Sequence, residues 1–218
     1  MDRVLEVKEE IFINDYPGLE DVSAMLDTHG YGNRINNVNW PEYSYRPEVL
    51  FNIAYSRKEI FLKYYVREEY FKAEKTETNQ MVSEDSCVEF FISPYDDNLY
   101  YNFEFNAIGT CLLGSGTGRD DNETAPVEIV DRIRRLTSIG NRPREEKTGP
   151  VEWTLTLGIP FLTFFRHKVD DVKERTLMAN FYKCGDKLSV PHYLTWNPVR
   201  TVRPDYHRPE YFGMLRFV

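Results

Sequence analysis

DSCVEFFISPYDDNLYYNFEFNAIG, residues 85–109, reads as two strongly β-forming segments joined by a polar turn at Tyr95 to Asn98. Side chains along a strand alternate between faces, so Asn102, Glu104 and Asn106 fall on one side and Phe103, Phe105 and Ala107 on the other. On the partner segment Val88, Phe90 and Ile92 share a side, and Glu89 lies opposite with Cys87 and Phe91. Carboxylates and amides standing among aromatic rings suit hydroxyl-rich ligands. A solvated outer face of an antiparallel sheet would also alternate, and it accounts well for Asn102, Glu104 and Asn106. It accounts less well for Glu89, which Cys87 and Phe91 flank.

Outward from this hairpin the chain is strand-rich. Val4–Val7, Val49–Tyr55, Glu59–Arg67, Val151–Leu157, Thr176–Cys184, His192–Trp196 and Tyr211–Phe217 carry the β-branched and aromatic enrichment of strands. Val127–Ile139 is expected to hold one or two more. Glu68–Val82 and the run NRPREEKTG read as polar interruptions, and GSGTGRDDNE as a loop. A short helix is predicted at Phe161–Phe165, where Pro160 suits a first turn. Short strands punctuated by turns favour an all-β antiparallel sandwich of jelly-roll type with one or two short helices. No repeat and no clean linker divides the 218 residues, so residues 1–218 are expected to form one domain.

Composition narrows the function. Aromatic residues make up 15% of the chain, with 15 Tyr and 14 Phe, and the formal charge is −8. That charge argues against a nucleic-acid partner, which calls for a basic stripe. No apolar run approaches the roughly 20 residues of a membrane span, so no membrane partner is expected. The three cysteines, Cys87, Cys111 and Cys184, show no zinc spacing and read as buried free thiols. MDRVLEVKEE lacks the layout of a secretory leader, which implies the cytoplasm if Met1 is the native start, and a secreted or periplasmic protein if a leader was removed.

The ordered combination DSCVEFFISP, YYNFEFNAIGT, VEWTLTLGIP, ANFYKC, HYLTWNPV and YFGMLRF, from about Glu48 onward, resembles the family-nine carbohydrate-binding modules, above all their stand-alone bacterial relatives. The resemblance implies a β-sandwich that binds a sugar without acting on it. In the best-known type, two Trp rings grip a reducing end. By this resemblance Glu89 matches the family carboxylate that accepts sugar hydroxyls, Asn106 a family polar contact, and Trp196 the second stacking ring. Two departures stand out. NQMVSED, residues 79–85, holds no aromatic where the first ring belongs, and Glu104 replaces an Arg.

The expected ligand-binding set is therefore Glu89, Glu104, Asn106, His192 and Trp196, with His192 four residues from Trp196 on the same side of a strand. Trp153 is expected in the core. Trp40, Tyr70 and Phe71 are alternative stacking surfaces. Two other functions stay open: a glycoside-processing enzyme using Glu89 and Glu104 as its carboxyl pair, and a protein-interaction module on the same fold. No cofactor is assigned. The acidic turns Asp96–Asn98 and Asp120–Glu123 have the oxygen ligands for a structural calcium, without the regular spacing of a calcium loop.

Overall fold

Alternating apolar residues bury one strand face each, and stacking two such faces removes both from water. The computed structural model describes residues 3–30 and 32–218. In chain order its elements are β1 (Val4–Glu9), α1 (Leu19–Asp27), β2 (Asn33–Arg34), β3 (Asn37–Val38), β4 (Glu48–Tyr55), β5 (Glu59–Ala73), β6 (Cys87–Ser93) and β7 (Tyr100–Asn106). These are followed by β8 (Cys111–Gly116), β9 (Glu123–Thr124), α2 (Val127–Val130), β10 (Arg134–Thr137), β11 (Arg144–Pro160), β12 (Thr176–Cys184), β13 (Tyr193–Thr195) and β14 (Gly213–Phe217).

One layer runs β10-β11-β5-β4 and the other β14-β12-β6-β7-β8-β9. Strand β1 joins them: Val4–Val7 pair in parallel with β14, and Lys8 and Glu9 pair with the end of β4. The other pairings are antiparallel, giving the expected β-sandwich.

The core between the layers is aromatic. Phe181 of β12 stacks on Phe51 of β4 with centroids 3.9 Å apart and on Phe90 of β6 at 4.9 Å. Trp196, just past β13, sets its ring edge-on to Phe181 at 5.5 Å. Gly213 of β14 makes room for that indole, since a Cβ there would lie 2.6 Å from it. Trp153 is in the same core, as its strand pattern predicts. One polar cluster bridges the layers. The Lys183 ammonium lies 2.9 Å from Glu68 Oε2 and 2.8 Å from His192 Nε2, and Trp153 Nε1 donates to Glu68 Oε1 at 2.7 Å. Removing one partner of such a buried pair costs far more than the pair itself contributes.

Several elements differ from the sequence expectation. Residues 19–27, in the stretch between Val7 and Val49 for which no regular element is expected, form α1, whose Val22 and Leu26 cover Ala54 and Phe61. The helix is short and lacks a side-chain cap, so its pattern is weak. Strand β5 runs on through Ala73, and β11 starts at Arg144, inside the polar run NRPREEKTG. These two polar arms pair with each other, with register shifts at Arg144/Lys147 and Thr148/Val151. Their hydrogen bonds come from tertiary pairing, which no apolar period announces. Phe161–Thr163 is a single 3-10 turn, and Val127–Ile139 divides into α2 and β10. No helix among the described residues is long and apolar enough to cross a membrane.

Trp196→Ala should lower the unfolding free energy by about 3–5 kcal/mol through the cavity it leaves. Urea unfolding checks this: the midpoint falls while the slope stays the same. An unchanged midpoint would remove Trp196 from the core.

Candidate functional site

The hairpin β6–β7 sends its polar residues to the outer face of its sheet, away from the aromatic core. Register sets Tyr182, Glu89, Glu104 and Leu112 in one row across β12, β6, β7 and β8. Phe91, Asn102 and Gly114 form the next. A roof of loops then covers much of this face. Tyr206 stacks flat on Tyr182 at 4.1 Å and donates its hydroxyl to the Lys183 carbonyl, while the Tyr182 hydroxyl donates to the Tyr206 carbonyl. Trp40 Nε1 donates to the Thr201 carbonyl and the Tyr211 hydroxyl to that of Arg200. These bonds fasten the stretch 199–212 over the sheet.

What the roof leaves open is a cavity of about 540 Å³, floored by Glu89, Asn102, Glu104 and Cys184 and walled by Tyr43, Tyr193, Arg119, Asp186 and Asp205 among others. Its volume lies in the roughly 300–1,000 Å³ range of small-molecule sites.

The floor is poor in positive charge. Burial and the neighbouring Glu104 push the Glu89 carboxyl well above the usual range. Burial likewise pushes Glu104 up to about 7 and Asp186 up to about 6. Arg119 favours the charged form of all three, but it is partly exposed and paired with Asp205 at 3.0 Å. A relay of amides orients Glu104: Asn122 Nδ2 donates to Asn102 Oδ1 at 2.8 Å, and Asn102 Nδ2 donates to Glu104 Oε1 at 2.9 Å. Gly114 is required here, because a Cβ would come within 2.1 Å of Asn122 Oδ1. Beside the relay, the Tyr100 hydroxyl lies 2.6 Å from His207 Nδ1, and burial lowers that imidazole to about 4, keeping it neutral. A partly protonated carboxyl pair, amides and phenols offer both donors and acceptors, as a polyhydroxylated ligand needs.

Of the residues expected from sequence, Glu89 and Glu104 meet on the cavity floor. Three others do not join them. Asn106 is wholly buried and spends its amide on the Lys75 carbonyl, Asp85 and the Thr110 N–H. His192 is buried against Lys183, and burial followed by that charge holds it well below its ordinary value. Trp196 is 3% exposed, its ring given to Phe181 and not to the cavity. The alternative rings are also engaged elsewhere: Trp40 in the roof, Phe71 in the core, Tyr70 against Tyr45. In the acidic turns, Asp97 accepts from Leu99 and meets His167, while Asp121 accepts from Thr117 and Gly118.

The cavity rings are tyrosines that the sequence reading missed. Tyr43 and Tyr193 are half-buried and meet edge to face at 4.8 Å. Tyr193 had a usable signal: it sits between His192 and Leu194, so an inward Leu194 and Trp196 put Tyr193 on the cavity side. Arg119, Asn122 and Asp186 lie in loops, where no period marks them.

The family model described as carbohydrate-binding family 9 matches residues 21–217, and the chain belongs to that family. A solved structure from Bacteroides uniformis ATCC 8492, described as a candidate carbohydrate-binding protein, is 40% identical over 100% of both chains with a TM-score of 0.95. A family 9 module from Caldicellulosiruptor kristjanssonii, solved with glucose, shares the fold at TM-score 0.57 and 11% identity, covering 99% of this chain and 96% of that one. The cellotriose complex of a family 9 module from that organism gives TM-score 0.58 and 12% identity over 99% and 93%. No curated protein sequence matches.

The buried Glu104 makes stability fall as pH rises. Its carboxyl moves from an ordinary 4.5 to about 7 on folding, so between these values the folded state keeps a proton that the unfolded state has lost. The contribution is full below about 4.5 and lost as pH climbs toward 7, at up to about 1.4 kcal/mol per pH unit. Glu104→Gln should flatten the stability-versus-pH curve in that window, measured by urea unfolding at stepped pH. Parallel curves for the two proteins would contradict the assignment.

Proposed function

We propose that this protein binds a carbohydrate without cleaving it, in the cavity on the outer face of the β12-β6-β7-β8 sheet. Glu89, Glu104, Asn102 and Asn122 take the hydroxyls, and Tyr43 and Tyr193 supply the apolar surface for a pyranose. The observation that carries this reading is the Glu89–Glu104 pair on the floor of a cavity walled by half-buried tyrosines. Family membership supports it, as do the glucose and cellotriose held by the Caldicellulosiruptor modules.

Geometry also weighs against cleavage. Glycosidase carboxyls flank the scissile bond from opposite sides. Glu89 and Glu104 are direct cross-strand partners pointing the same way, with Cβ atoms about 4.5–5.5 Å apart. Such a pair touches one face of a sugar. Phenol rings in place of indoles reduce the stacking area, so the expected affinity is micromolar to millimolar, about −8 to −4 kcal/mol.

Calorimetry suits the test better than tryptophan emission, because Trp40, Trp153 and Trp196 are all buried. Titration with glucose and with cello-oligosaccharides should give saturable binding, weakened at least tenfold by Tyr193→Ala or Asn122→Ala. Reducing-sugar assays on the same oligosaccharides should show no turnover. Absence of binding across a wide panel of mono- and oligosaccharides at millimolar concentration would defeat the proposal, and turnover abolished by Glu104→Gln would replace it with an enzyme.

A further inference from the structure

Beside Glu89, the floor of the cavity holds two thiols that hydroxyl recognition does not use. Cys87 and Glu89 are two apart on β6, so they share a face, and Cys184 of β12 stands directly opposite Cys87. Cys184 Sγ lies 3.0 Å from Glu89 Oε1, Cys87 Sγ lies 4.0 Å from it, and all three atoms are within 4.8 Å of one another. Around a tetrahedral zinc ion, thiolate and carboxylate ligands sit about 3.5–3.8 Å apart, given the usual bond lengths. The three donors bracket that spacing already. All three are buried, and Glu89 is in no ion pair among the described residues.

We propose that Cys87, Cys184 and Glu89 bind one thiophilic divalent cation of the zinc class, the two thiols and the carboxyl entering deprotonated with their protons released to solvent. Two sulfurs and one carboxylate oxygen select a borderline-soft metal over calcium or magnesium, which take oxygen ligands. The donors come from adjacent paired strands, so the sheet presets their positions. Glu89 and Cys184 also line the cavity, which provides an entry path, and a fourth ligand would come from that side. Three protein ligands with one open position is the arrangement of zinc sites that exchange a ligand. This inference goes beyond sugar binding and does not depend on it.

The test uses the full chain, reduced and stripped with chelator, in which all three cysteines are free thiols. Cadmium is titrated in and followed by thiolate-to-cadmium charge-transfer absorption in the ultraviolet, with zinc as competitor. The band should saturate at one equivalent and be displaced by zinc. Cys184→Ser and Glu89→Gln should each weaken binding at least tenfold with circular dichroism unchanged. Cys111→Ser, whose thiol belongs to the core between the layers, should bind like the parent. Should Cys184→Ser fail to fold, Glu89→Gln against Cys111→Ser decides alone. No band in the reduced parent, or equal affinity in the folded Cys184→Ser or Glu89→Gln variants, would overturn the proposal.

Discussion

Glu89 and Glu104 stand opposite each other on neighbouring strands and are 3% and 6% exposed. Two carboxylates so placed cannot both ionise cheaply, because burial penalises charge and each opposes the other. The surroundings do little to relieve this. Asn102 gives Glu104 one hydrogen bond, two thiols face Glu89, and one guanidinium of the cavity, Arg119, leans toward Asp205. The roof that buries this floor therefore keeps protons on the pair at pH values where exposed carboxyls would have lost them.

The roof is built largely from tyrosine. A phenol can stack by its face and close a hydrogen bond by its rim. Tyr206 does both, lying on Tyr182 while its hydroxyl reaches the Lys183 carbonyl. The tryptophans considered from sequence as stacking rings serve the fold itself: Trp196 packs on Phe181 and Trp40 fastens the roof. Tyr43 and Tyr193 are among the rings bordering the cavity, with Tyr206 and His207, and a tyrosine wall suits a ligand met by hydroxyl groups as much as by a flat face.

The hairpin at residues 85–109 was legible in the sequence because strand alternation is a local property. It correctly separates Phe90 and Phe103 in the core from Glu89 and Glu104 on the other face. Helix α1 and the paired polar arms of β5 and β11 were not legible, since each depends on a distant surface or strand for its stability. Asn106 illustrates the limit within the site. Alternation puts it on the same face as Glu104, yet it lies at the strand end, where the Lys75 carbonyl and Asp85 accept from its amide.

The chain's periodicity and its aromatic richness by themselves determined a two-layer β-sandwich with a carboxylate-bearing outer face, because which side of a strand a residue takes needs no knowledge of the rest. Only the tertiary structure decided which polar groups stay available. The loops at 38–45 and 197–212 come from opposite ends of the chain, and their folding over the sheet buries Trp40 and opens the cavity between Glu104 and Tyr193. No spacing within a strand encodes that meeting, since it arises from contacts more than a hundred residues apart.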